Sequence, residues 1–82
     1  MNNFKEILTD NSFSLIDENK IAAKVEFKKT DTYINIIKTE VDSSYQGKGL
    51  AKILMNKCKD IAESENLTIK ANCSYAIKFF NL

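Results

Sequence analysis

A Gly-x-Gly turn, within Gln46-Gly47-Lys48-Gly49-Leu50-Ala51, is the part of this chain whose residue types and spacing point most directly to chemistry. It lies between a β-rich segment ending in Val41 and an amphipathic segment that opens at Leu50. Glycine has no Cβ, so the backbone N–H groups of such a turn can approach an anion closely. The first turn of a following helix adds unsatisfied donors and the positive end of the peptide dipole. That combination suits a phosphate-bearing ligand. Lys48 and Lys52, one helical turn apart, can reach the same anion from the helix surface. Glycines also end strands and open helices for purely steric reasons, so the motif by itself leaves a structural role open.

The elements that must position this turn are legible in the hydrophobic pattern. Phe13-Ser14-Leu15-Ile16-Asp17 reads as a strand entering a hairpin at Glu18-Asn19-Lys20. Ile21, Ala23, Val25 and Phe27 then alternate with Ala22, Lys24, Glu26 and Lys28, which predicts a second strand with the first set buried. After the turn Lys29-Thr30-Asp31-Thr32, the β-branched and aromatic run Tyr33 to Val41 predicts a third strand, antiparallel to the second. From Gly49 the period changes. Leu50, Ile53, Leu54, Cys58, Ile61 and Ala62 recur at spacings of three and four, predicting a helix of about four turns that ends at Ser64-Glu65-Asn66. Leu67 to Ala71 predicts a fourth strand, and Ser74 to Leu82 a short terminal helix. A β-β-β-α-β-α order is an α+β fold, with the crossover helix setting the fourth strand parallel to the third. The glycine turn then sits at the carboxyl end of a strand, where ligands of α/β units bind.

Composition narrows the function. The 82 residues allow a single domain, 1–82, and the 44% apolar and 28% charged fractions are those of an ordinary globular protein. A net charge of +1 gives no electrostatic basis for nucleic-acid or membrane-surface binding. All 12 cations are lysines, so the side chain best suited to bidentate phosphate or guanine contacts is missing. Histidine is absent, which removes Ser-His and Cys-His couples and any His-ligated metal, and no metal site is expected. Cys58 and Cys73 lack metal-ligand spacing and are expected to be reduced thiols. The N-terminus has neither a basic nor an apolar leader region and no stretch is long enough to span a bilayer, so the cytoplasm is the expected location.

With these residues in place, the chain resembles the GNAT superfamily of acyl-coenzyme A dependent N-acetyltransferases, and within it the small, truncated acetyltransferase-like family of the YjdJ type. The superfamily signature, Gln/Arg-x-x-Gly-x-Gly/Ala at a strand-to-helix junction, falls on Ser44 to Gly49, with Ser44 in place of Gln or Arg. The small family's Thr-Glu-Val strand end is matched by Thr39-Glu40-Val41, and its Pro-x-Cys-x-Tyr/Phe segment by Ala71-Asn72-Cys73-Ser74-Tyr75. Lys38 stands where a histidine is usual, Ala71 replaces the proline, and the usual His-Pro tail is not matched.

The resemblance implies a mostly antiparallel sheet whose parallel strand pair is splayed around acetyl-coenzyme A or coenzyme A as cosubstrate. The pyrophosphate would rest on the N–H groups from Gly47 to Ala51, within a cofactor set of Thr39, Val41, Gln46, Gly47, Lys48, Gly49, Leu50, Ala51, Lys52 and Asn72. The pantetheine arm would pair with backbone near Thr39 and Val41, and the thioester would arrive near Asn72 and Cys73. In that frame Glu40 is the candidate general base, or else a solvated strand carboxylate. Cys73 is either an acyl-accepting nucleophile or a small apolar filler beside the cofactor. Tyr75 is the stronger candidate for a phenol that protonates the leaving thiolate, with Tyr45 the weaker one; both also suit a structural role. Cys58 falls on the apolar stripe of the predicted helix and reads as core. The acceptor would be an amine, on a protein or a polyamine, at an open site. A non-catalytic coenzyme A binding or protein-interaction module is the alternative.

Overall fold

The computed structural model describes residues 4–82. The chain runs through strands β1 (Lys5–Leu8), β2 (Ser12–Asp17), β3 (Lys20–Lys29) and β4 (Tyr33–Val41), and a single 3-10 turn, Ser43–Tyr45, follows. Then come helix α1 (Leu50–Glu65), strand β5 (Thr68–Ala71) and helix α2 (Ser74–Phe80). The sheet order is β1-β2-β3-β4-β5, antiparallel except for the parallel β4–β5 pair that α1 connects. β1 is an addition to the expected elements. All four of its residues are exposed, so it carries no burial alternation by which to be read. Among the described residues no helix is long and apolar enough to cross a membrane.

The core lies between one face of the sheet and α1. Phe13, Leu15, Val25, Phe27, Ile34 and Ile36 meet Leu50, Leu54, Met55, Cys58 and Ile61, all buried. Burying an apolar side chain of this size stabilises by about 1.5–3 kcal/mol relative to leaving it exposed. The helix departs from expectation at one pair. Ile53 is 37% exposed and Met55 is fully buried. The buried arc is centred between Leu54 and Cys58, and at 3.6 residues per turn that takes in Met55 and leaves Ile53 at the rim. Asn66, at φ 57, closes α1 by donating its N–H to the Ala62 carbonyl.

Two irregularities reset which side chains face the core. Leu15 pairs with Ala23 and Ile16 with Ile21, so Ala22 is an extra residue in β3. Ala22 and Ala23 are consequently both buried, and Ile21, expected on the buried face, is 52% exposed. Phe27 pairs with Ile36 and Glu26 with Lys38, so Ile37 is an extra residue in β4. The bulge changes the parity of the strand. Ile34 and Ile36 point to the core, but beyond Ile37 it is Thr39 and Val41, not Lys38 and Glu40, that continue this face.

β5 stays with β4 only from Tyr33↔Thr68 to Ile36↔Ala71, with a last rung from the Asn72 N–H to the Ile36 carbonyl at 2.9 Å. Beyond it the edge of β4 from Lys38 to Val41 has no strand partner on that side among the described residues. The two parallel strands therefore part into a notch just past the second bulge.

Candidate functional site

The mouth of the notch is the turn between β4 and α1. Asp42 caps the 3-10 turn by accepting the Ser44 N–H at 3.0 Å, and its carboxylate pairs with Lys20 at 3.3 Å. The hydrogen bond from Ser44, opposed by partial burial and aided by Lys20, holds the Asp42 carboxyl below its ordinary value. Gly47 (φ 81) and Gly49 (φ 76) are both left-handed, and a Cβ built on either would meet no atom within 4 Å. Packing thus does not require glycine here; backbone conformation does. Gly49 is the N-cap of α1 and provides no side-chain cap. The first helical bond is from the Ile53 N–H to the Gly49 carbonyl at 3.3 Å. Among the described residues, the amides from Gly47 through Lys52 therefore form no hydrogen bond of good geometry with a protein acceptor, backbone or side chain. A run of free donors at the N-terminus of a four-turn helix fits a diphosphate.

A shallow pocket of about 300 Å³ gathers Val41, Gln46, Gly47, Gly49, Leu50, Ala51 and Lys52, with Tyr45 and Tyr75 on its walls. Leu50 offers only its amide, because its side chain is in the core. Lys48 is exposed and outside the pocket wall. The larger depression of about 450 Å³, lined by Lys59, Glu63, Leu67 and Phe80 among others, lies at the other end of α1 and touches none of the predicted site residues.

At the inner end of the notch Cys73 caps α2. Its Sγ lies 3.5 Å from Thr39 Oγ1, in a hydrogen bond that the thiol donates and a thiolate would accept. Burial pushes the thiol up, but the Thr39 hydroxyl and the amides of Ala76, Tyr75 and Thr39 outweigh it and hold Cys73 below its ordinary value. Those helix amides face the sulfur without forming a cap hydrogen bond. Asn72 marks the apex. Its N–H closes the last β4–β5 rung, and its Oδ1 accepts from Asn35 Nδ2 at 2.7 Å, which turns the side chain away from the glycine turn. Cys58 is a core thiol that burial pushes up to about 12.

The parity change at Ile37 decides where Glu40 goes. It lies on the face of β4 opposite Thr39 and Cys73, pairs with Lys38 at 3.5 Å, and lines a second depression of about 380 Å³ with Ile21, Lys24 and Asp42. Val41 borders both depressions. The structure thus brings Thr39 and Cys73 together at the inner end and Val41 and Tyr75 around the glycine turn, and sets Glu40 across the strand.

The two tyrosines separate as well. The Tyr45 hydroxyl donates to Asp17 Oδ2, and this hydrogen bond is the main reason its pKa is raised to about 12. Tyr75 stacks on Phe79 at 6.1 Å, is 40% exposed and faces the pocket. Sequence reasoning missed the Asp17–Tyr45 contact. Its partners are 28 residues apart and share no local pattern.

Comparison with known proteins bears on the family and the fold. The sequence profile of a family described as GCN5-related N-acetyl-transferase matches residues 12–82. A ribosomal-protein-alanine N-acetyltransferase from Brucella melitensis biovar Abortus has a similar structure (TM-score 0.67, 19% identity), covering 76% of this chain and 48% of that one. A GCN5-like candidate N-acetyltransferase from Staphylococcus aureus matches with a TM-score of 0.60 at 28% identity, over 99% of this chain and 81% of its own. A GNAT-family acetyltransferase from Streptococcus pneumoniae gives 0.60 at 15% identity, over 90% and 60%. The chain therefore spans about half the length of the Brucella protein, and at such identities the Brucella and Streptococcus likenesses concern the fold alone. No curated protein matches the chain.

Proposed function

Since this chain belongs to the GCN5-related N-acetyltransferase family, we propose that it binds acetyl-coenzyme A in the β4–β5 notch and transfers the acetyl group to an amine. The observation that carries the reading is the run of unpartnered amides from Gly47 to Lys52, held open by two left-handed glycines at the mouth of the notch. These amides bind the diphosphate, with Lys52 beside them. The free edge of β4 from Lys38 to Val41 takes the pantetheine arm as a short added strand, which directs the sulfur toward Thr39 and Cys73.

Direct transfer is the route adopted. An amine entering from the Glu40 face meets the carboxylate there, with the thioester across the strand. Glu40, directly or through one water, takes the proton from the ammonium. Its nitrogen then forms the bond to the acetyl carbon as the carbon–sulfur bond breaks, Tyr75 protonates the departing sulfur, and the second amine proton, released as the amide forms, returns through water to the Tyr75 phenolate. Cys73 offers a nucleophile for a two-step route, but without histidine the chain has no imidazole to serve as its base. The acceptor amine in this reading is a lysine side chain of a protein or a polyamine.

Calorimetric titration with coenzyme A, acetyl-coenzyme A and dephospho-coenzyme A, followed by acetyl transfer to spermidine and to a lysine-containing peptide, tests the reading. Binding with turnover is expected. Glu40→Gln should abolish the dependence of kcat on a carboxylate in the acidic limb of the pH profile, and an unchanged profile removes Glu40 as the base. Binding without turnover leaves a coenzyme A binding module, and no binding refutes the site.

A further inference from the structure

We propose that Asp17 is a positioning residue for the phosphate cradle, acting through Tyr45 from the tip of a hairpin that never touches the ligand. The inference rests on the coenzyme A reading above. The cradle has little of its own to hold its shape. It contains two left-handed glycines, its amides bond to no protein acceptor, and it has no side-chain cap. A glycine turn free to sample other conformations would lose that freedom on binding, at a cost in affinity.

What precedes the turn is fastened at several points to the β2–β3 hairpin. Tyr45, two residues before Gly47, donates its hydroxyl to Asp17. Its ring meets Phe4 edge-on at 6.0 Å, and the Lys20 ammonium lies 5.9 Å from the ring centroid. Lys20 also pairs with Asp42, which caps the 3-10 turn that carries Tyr45. Asp17 and Lys20 are themselves cross-strand partners. One rung of the hairpin therefore grips the start and the end of the 3-10 turn, and the chain leaves that grip directly into Gln46 and Gly47. The bond to Asp17 is a charge-assisted one, the strong kind. Tyr45 is also a wall of the glycine-turn pocket, so its anchorage and the pocket's shape are the same contact.

The test is a double-mutant cycle on Asp17→Ala and Tyr45→Phe, with Asp17→Asn as the conservative variant that keeps an oxygen acceptor. Each single loss should raise the Kd for coenzyme A about tenfold, or about 1.4 kcal/mol, and the double variant should be no weaker than the weaker single. Asp17→Asn should recover most of the affinity. Pantetheine, which has no phosphate, should bind all four variants as it binds the wild type. In turnover by Asp17→Ala, KM for acetyl-coenzyme A should rise with kcat unchanged. Wild-type affinity in Asp17→Ala, additive losses in the double variant, or equal losses for pantetheine and coenzyme A would each overturn the proposal. If the wild type binds no coenzyme A, the functional reading itself fails. The positioning claim is then decided on the ligand-free protein, by the ¹⁵N order parameters of Gly47 and Gly49. They must fall in Asp17→Ala, and unchanged values overturn the claim.

Discussion

Side chains placed at Gly47 and Gly49 separate what the turn needs for folding from what it needs for a ligand. Both residues are left-handed, at φ 81 and 76, and a Cβ at either would meet no protein atom within 4 Å. Overlap with the protein therefore adds nothing to the cost of substitution. What remains is the strain of an L-residue in the left-handed region, about 1–2 kcal/mol. For a domain of 82 residues, each kcal/mol lowers the thermal midpoint by roughly 4–8 °C. Gly49→Ala should then melt roughly 4–16 °C below the wild type with its far-ultraviolet dichroism retained. Gly47→Val and Gly49→Val should fold and lose coenzyme A binding, because the new side chain stands where the diphosphate must approach the amides. Gly49→Asn separates the two effects, since asparagine tolerates the left-handed region. Its midpoint should return close to that of the wild type while its affinity for coenzyme A stays low. Thermal melts and calorimetry on the same preparations read both quantities. A folded valine variant that binds coenzyme A as the wild type does, or an asparagine variant that recovers affinity along with stability, would refute the cradle.

Tyr45 should titrate at about 12 in the folded protein. Its folded value is raised, so the Asp17 bond contributes fully below the ordinary tyrosine value of 10 and is lost as pH rises from there to about 12. Absorbance titration of the phenolates checks this, and Tyr45 in Asp17→Ala should ionise nearer 10; no change on that substitution would contradict the assignment. Cys73 should alkylate with iodoacetamide well before Cys58, whose thiol is buried and raised to about 12, and Thr39→Val should slow the reaction at Cys73. Equal labelling of the two thiols by mass spectrometry would contradict the placement of Cys73. Met55→Ala should cost about 2–5 kcal/mol in denaturant melts, as for a fully buried methionine, and Ile53→Ala within about 1 kcal/mol; the reverse ranking would contradict the face that α1 buries.

The elements that hold the site were legible where burial on one face imposed a period. Val25 and Phe27 in β3, Ile34 and Ile36 in β4, and Leu50, Leu54, Cys58 and Ile61 in α1 announce their faces, and the glycine turn falls between two of those elements. β1 was not legible because Lys5 to Leu8 bury nothing, and hydrogen bonding to β2 alone makes it a strand. The bulges were invisible for a different reason. An extra residue at Ile37 leaves composition and propensity unchanged but inverts the face of everything after it. Continued alternation from Ile34 and Ile36 would have placed Glu40 beside Cys73. The bulge places Thr39 there and sends Glu40 across the strand. The grip of Asp17 on Tyr45 joins two segments through a single side-chain pair, and only the packed tertiary structure brings them together.

Amide resonances of ¹⁵N-labelled protein during titration with coenzyme A address the central claim most directly. Saturable shifts concentrated on Gly47, Lys48, Gly49, Leu50, Ala51 and Lys52, reproduced by dephospho-coenzyme A and absent with pantetheine, are the predicted result. Shifts that leave these six amides unmoved, or that pantetheine reproduces in full, would contradict it.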